Sequence, residues 1–256
     1  VIRLYHGECL EIMAMLPDAS VDMILCDLPY GTTACEWDVI IPFDKLWEQY
    51  HRLCKKSAAM VFTGCDPFTS KLVMSNREEY REGWIWHKVQ GANFLNLKHQ
   101  PWKVHEDVRA FWREEPTFHP PLYDDPDYNY TTTRTSAHSR SVLQFQPAIP
   151  PPPVEKGITY YSRTLSIKSE KGLHPTQKPV ALMEYFIHTF TDAGEMVLDN
   201  CMGSGTTGVA CQNLGRDFIG IESGSEMYAT AVARNLGVVA LRHVGQSRQR
   251  IAEISK

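Results

Sequence analysis

The segment from Met196 to Glu222 constrains this chain more than any other. An apolar strand, Met196 to Asp199, leads into Asp199-Asn200-Cys201-Met202-Gly203-Ser204-Gly205-Thr206-Thr207-Gly208. A helix from Thr206 to Leu214 follows, closed by Gly215, and then a strand from Phe218 to Glu222. Gly203, Gly205 and Gly208 keep Gly-x-Gly-x-x-Gly spacing between strand and helix, with an acid at the end of the next strand. Glycines there let the backbone approach a ligand, and Glu222 is placed to accept ribose hydroxyls. No Lys-Ser or Lys-Thr follows Gly208, which excludes a phosphate loop of the NTPase kind. The turn alone fits either a nicotinamide dinucleotide or S-adenosylmethionine, since both carry an adenosine, and a plain tight turn is the bland alternative.

The rest of the chain alternates in the same way. Glu11 to Leu16 is helical and stops at Pro17, and Val21 to Cys26 reads as a buried strand ending at Asp27. Phe43 to Cys54 carries Leu46, Trp47, Tyr50 and Leu53 on one helical face, and Ala58 to Thr63 is a second buried strand. Trp84 to Val89 and Val108 to Trp112 are further strands, and Val180 to Phe190 and Glu226 to Leu236 further helices. Such alternation implies an α/β fold, a mostly parallel sheet with helices on both faces. Between residues 113 and 170 the pattern dissolves into a stretch rich in Pro, Tyr, Thr and Ser, with a polyproline-type spacer at 147–153. A long irregular stretch within a compact chain points to a functional insert. The chain therefore divides into 1–112, an insert at 113–170, and 171–256.

A chain of 256 residues with 43% hydrophobic and 22% charged residues fits one large domain with an insertion. It has no apolar run of bilayer length and no charged-then-apolar leader, so a cytoplasmic location is expected. Seven scattered cysteines without a Cys-x-x-Cys pair suit a reducing compartment, and neither they nor the histidines have metal-ligand spacing, so no metal is expected. The net charge of −4 does not advertise a nucleic-acid partner, but the charge is uneven. Arg134, Arg140, Arg163, Lys168 and Lys171 fall beside Tyr123, Tyr128, Tyr130, Tyr160 and Tyr161, a composition suited to a nucleic-acid contact. A solvated loop is the alternative.

Asp27-Leu28-Pro29-Tyr30-Gly31 follows a buried strand, the edge at which open α/β sheets bind ligands. A turn explains Pro29 and Gly31 but needs no acid beside an aromatic ring. Here the chain resembles the amino-methyltransferases of DNA, whose hallmark at this place is Asp-Pro-Pro-Tyr. His174-Pro175-Thr176-Gln177-Lys178-Pro179 is similar to the segment that precedes the family's glycine turn, and Gly203-Ser204-Gly205-Thr206-Thr207 to its S-adenosylmethionine loop. The tetrapeptide precedes the cofactor loop, the order of the circularly permuted beta group. The resemblance covers about 1–112 and 171–237 and leaves the insert unmatched. Leu28 replaces the first proline, and Asn200-Cys201 replaces Pro-Phe.

The resemblance implies a Rossmann-like methyltransferase fold with a seven-stranded sheet, the catalytic half at 1–112, the cofactor half at 171–256 and target recognition in 113–170. It implies double-stranded DNA as partner, S-adenosylmethionine as cofactor and restriction-modification as context. A homodimer is compatible with it, and a restriction endonuclease partner stays open. Asp27, Leu28, Pro29 and Tyr30 would be catalytic, with the Asp27 carboxylate and the Leu28 carbonyl each accepting one hydrogen of the exocyclic amine. Glu222 would hold the ribose, and Asp199 with Gly203, Ser204, Gly205, Thr206 and Thr207 the methionine part. Thr176, Gln177 and Lys178 would lie near its carboxylate, with Asp27 also bordering the cofactor. Glu8-Cys9 takes the place where the family contacts adenine, and a helix N-terminal acid is the bland reading of Glu8.

Asp27, where cytosine-N4 enzymes of the family more often carry Ser, favours adenine N6, with cytosine N4 as the alternative. Methylation at cytosine carbon 5 uses a Pro-Cys nucleophile, and no cysteine here follows a proline. A nicotinamide oxidoreductase and a DNA-binding module without catalysis are remoter alternatives.

Overall fold

The computed structural model describes residues 1–33, 35, 38–92, 97–99, 101–119, 163–169 and 177–236. The elements are β1 (Ile2–His6), α1 (Cys9–Met15), β2 (Val21–Cys26), α2 (Phe43–Leu53), β3 (Cys54–Gly64), α3 (Phe68–Ser75) and β4 (Tyr80–Ala92). They continue with β5 (Lys103–Phe111), β6 (Thr164–Ser166), α4 (Val180–Phe190), β7 (Met196–Asp199), α5 (Thr206–Leu214), β8 (Asp217–Glu222) and α6 (Ser225–Leu236).

One sheet runs in the order β1-β8-β7-β2-β3-β5-β4-β6. The first five strands are mutually parallel, β5 is antiparallel to β3 and β4, and β6 is parallel to β4. The seven expected strands are present, and the three-residue β6 makes an eighth. β4 and β5 are longer than the apolar residues announced, because their polar ends pair through the backbone. Helix α3 is an addition to the sequence reading.

Helices cover both faces. Ile12 and Met13 of α1, Leu46 and Tyr50 of α2, and Phe68 and Leu72 of α3 bury against Ile24, Met60 and Phe62 on one face. On the other, α4 contributes Leu182, Met183, Phe186 and Ile187, with Ala210 of α5 and Ala231 of α6, against Leu25, Val61 and Val197. Central strands buried on both faces explain why β2 reads as a continuous apolar run. Five parallel strands therefore end along one edge, and each ends beside a polar group: Glu8 after β1, Glu222 on β8, Asp199 on β7, Asp27 after β2 and Thr63 on β3.

Candidate active site

Glu8, Asp27, Asp199 and Glu222 line a cleft of about 420 Å³, within the range of small-molecule sites. Asp27 and Asp199 follow strands that are hydrogen-bonded neighbours, through Met23 with Val197 and Ile24 with Leu198, so two distant parts of the sequence meet side by side.

The tetrapeptide is held from several directions. Asp27 Oδ1 accepts from the Tyr30 hydroxyl at 2.5 Å and from the Thr63 hydroxyl. Asp27 Oδ2 accepts from the Lys178 ammonium at 2.5 Å. A carboxylate offers about four lone-pair directions, so one remains for an incoming donor. The Tyr30 ring is backed by Phe68 at 5.0 Å between centroids. Burial, then the nearby Asp27 and Glu106 charges, push the Tyr30 phenol well above its usual range, so it stays a hydrogen-bond donor. Leu28 buries its side chain in the core beside α1 and α2, and among the described residues no hydrogen bond reaches its carbonyl. Pro29 lines the cleft as well. Beyond Tyr30, the Asp38 carboxylate accepts from the backbone N–H of Gly31, Thr32 and Thr33 and from the Thr33 hydroxyl, which ties Asp38 to Gly31, Thr32 and Thr33. Burial raises the Asp38 carboxyl, and these four donors outweigh it and hold it below its ordinary value.

On the other side, Gly205 adopts the left-handed conformation that starts α5, and its α-carbon packs on Ala231 and Asn235, away from the cleft. Gly203, Ser204, Thr206 and Thr207 face the cleft. Asp199 is buried and accepts from the Thr207 hydroxyl at 2.6 Å and the Cys201 N–H at 3.1 Å. Glu222 accepts from the Gly203 N–H at 2.9 Å and the Gly224 N–H at 2.7 Å, which pins the glycine turn to the end of β8. Ser204 bonds Gln177 at 3.3 Å, and Arg234 of α6 donates to the Ser204 and Thr206 hydroxyls. Glu8 caps α1 by accepting from the Glu11 N–H at 3.1 Å, the bland role, while it and Cys9 also line the cleft.

Lys178 lines the cleft with its ammonium on the carboxylates of Asp27 and Glu106, beside the tetrapeptide. Thr176, Arg134, Arg140 and Lys171 lie outside the described residues. Arg163 pairs with Glu82 at 2.6 Å, and Lys168 is exposed just after β6, toward the edge at which the parallel strands end. Thr63, Asp38, Glu106, Lys88 and Arg234 were not legible as site residues. Only Asp38 left a trace, as an acid shortly after a Gly-Thr-Thr turn. Cys26, Cys9 and Cys201 cluster under the turn, and burial pushes the Cys26 thiol up to about 12, so it is no nucleophile.

A model of the DNA methylase family, covering N6 and N4 enzymes, matches residues 21–233. The chain belongs to this family. The DNA methylase has relatives along most of its length. It is 29% identical to the type II methyltransferase M.HpaI of Haemophilus parainfluenzae, over 91% of this chain and 73% of that one. It is 25% identical to M2.DpnII of Streptococcus pneumoniae, over 90% of this chain and 88% of that one. Among solved structures, the complex of M1.HpyAVI with SAM is 27% identical at a TM-score of 0.65, covering 93% of this chain and 100% of that one. The cytosine-N4-specific PvuII DNA methyltransferase reaches the same TM-score of 0.65 at 16% identity over 91% of this methylase and 86% of that chain, a likeness of fold alone. No helix among the described residues is long and apolar enough to cross a membrane.

Proposed function

We propose that this methylase transfers a methyl group to the exocyclic N6 amine of a flipped adenine in double-stranded DNA, as a member of the circularly permuted beta group. One observation carries the reading: Asp27 and Leu28, whose carbonyl takes no hydrogen bond among the described residues, line the cleft just after the strand that neighbours the one leading into the glycine turn. The methyl donor is S-adenosylmethionine, which supplies an electrophilic methyl on a sulfonium. The residues present fit it. The end of β8 offers the carboxylate of Glu222 for ribose hydroxyls, and Asp199, Gly203, Ser204, Thr206 and Thr207 line the adjoining part of the cleft.

An exocyclic amine is a poor nucleophile because its lone pair is delocalised into the ring. Asp27 and Leu28, each accepting one amine hydrogen, favour a more tetrahedral nitrogen with a localised lone pair. Their contribution is positioning and electrostatics, with no covalent intermediate on the protein. Extruding the base costs a few kcal/mol, and stacking on Tyr30 returns about 1–3 kcal/mol. Residues 113–170 would then read the target sequence, with Arg134, Arg140, Arg163, Lys168 and Lys171 on phosphates, between the halves 1–112 and 171–256.

Nucleoside mass spectrometry of DNA from cells expressing the protein tests this. N6-methyladenine is expected, and N4-methylcytosine in its place would overturn the choice of adenine. Modified-base sequencing of the same DNA reports the recognition sequence.

A further inference from the structure

Lys178 lies between two carboxylates brought by different strands, Asp27 at 2.5 Å and Glu106 of β5 at 3.3 Å. The other oxygen of Glu106 takes the Lys88 ammonium of β4, which lies 5.3 Å from the centre of the Trp86 ring. Glu106 Oε2 is buried and has the ion pair with Lys178 but no hydrogen bond of good geometry. Two anions and two cations thus form a chain from the interior of the β4–β5 hairpin to the group that meets the substrate. A buried ion pair is a weak stabiliser compared with apolar residues of the same volume. Its place against Asp27 calls for a chemical reason.

We propose that Glu106 and Lys178 are positioning residues for methyl transfer: Glu106 holds the ammonium so that it orients the Asp27 carboxylate and leaves one of its lone pairs for the amine. The proposal rests on Asp27 being the amine acceptor. Without Lys178, Asp27 and Glu106 would be two like charges repelling each other at one cleft, with no cation to hold the Asp27 carboxylate in place. Without Glu106, the ammonium has one carboxylate left to satisfy it and closes on Asp27, weakening the oxygen that must accept from the amine. The other groups facing the chain are the Tyr30 and Thr63 hydroxyls on Asp27, Asp199 on the neighbouring strand, and Cys65 near Glu106 and both lysines. None of these carries a second cation to Asp27. Burial opposes the Lys178 charge, but Asp27 and Glu106 outweigh it and hold the ammonium well above its usual range. Lys178 is therefore a fixed charge and not a proton donor.

The test compares Glu106→Gln, Lys178→Met and Lys178→Arg in steady-state methyl transfer, with S-adenosylmethionine affinity measured by calorimetry. Glu106→Gln and Lys178→Met are expected to lower kcat about tenfold or more, with the KM for DNA and the Kd for cofactor within about twofold. Lys178→Arg should recover part of the lost kcat. A kcat that stays within twofold of wild type, a loss carried mainly by KM, or a Lys178→Met loss confined to cofactor affinity overturns the proposal. Glu106→Gln is near-isosteric and carries the test by itself where Lys178→Met does not fold. An Asp27→Asn control separates the two levels. If it keeps wild-type kcat, the amine-acceptor reading falls and takes this proposal with it. If it is inactive while Glu106→Gln behaves as wild type, this proposal alone falls.

Discussion

Tyr50 of α2 donates a hydrogen bond of 2.7 Å to the side-chain oxygen of Asn200, and both residues are buried. By the resemblance, Asn200 replaces a proline of the cofactor loop, and the hydrogen bond from α2 restrains the loop at that position. Tyr50→Phe leaves that oxygen unsatisfied, at about 1–3 kcal/mol. The expected fall in melting temperature is about 2–4 °C per kcal/mol, with weaker S-adenosylmethionine binding. An unchanged melting temperature and affinity would show that the bond restrains nothing.

Leu28 separates packing from chemistry. Its side chain is in the core, the residue also lines the cleft, and its carbonyl is proposed to accept from the amine. Leu28→Ala should cost about 2–5 kcal/mol of stability in urea unfolding, while kcat measured on folded protein stays within a few-fold. Leu28→Pro should keep activity too, since it retains the carbonyl. A kcat loss in Leu28→Ala without a stability loss contradicts this division.

Glu222 pins the glycine turn through two N–H groups, so its loss removes both the restraint and the acceptor proposed for the ribose. Glu222→Ala should weaken S-adenosylmethionine binding by about tenfold or more, and Glu222→Gln by less, as it keeps one acceptor oxygen. Calorimetry decides, and equal affinities in all three proteins would remove Glu222 from the site.

Burial raises the Asp199 carboxyl from 3.8 to about 6, against the bonds from Thr207 and Cys201 that favour its charged form. A group raised in the folded state contributes stability below its unfolded pKa and loses it as pH rises through the folded value. The cost of ionising Asp199 therefore grows between about pH 4 and 6, on the order of 3 kcal/mol. Asp199→Asn lacks this dependence. The stability of the variant minus that of the wild type, from urea unfolding without cofactor, should rise across that window. A difference that is flat with pH refutes the assignment.

Much of this was legible in the residues. Val180–Phe190, Met196–Asp199 and Thr206–Leu214 stand out because apolar runs are bounded by proline, acid or glycine. Helix α3 escaped because Phe68–Ser75 is short and buries only Phe68, Thr69 and Leu72. β6 escaped because three residues carry no periodicity. Within the site, Asp27 and Glu222 announce themselves as acids at strand ends. Glu106 does not: in Lys103-Val104-His105-Glu106-Asp107 it reads as one more polar residue of an alternating strand. Its partners reach it from elsewhere, Lys88 across the sheet and Lys178 from the segment before α4, and such meetings leave no mark on spacing along the chain.

The seam between β2 and β7 joins residues more than 170 positions apart through two residue pairs. Neither half owns a reaction centre: a piece ending before residue 120 has the acid and the ring, and a piece starting after 162 has the glycine turn and Glu222. The same geometry makes the chain a candidate for splitting. Two fragments divided within 120–162 would each be silent, and methylation would return only where both are present.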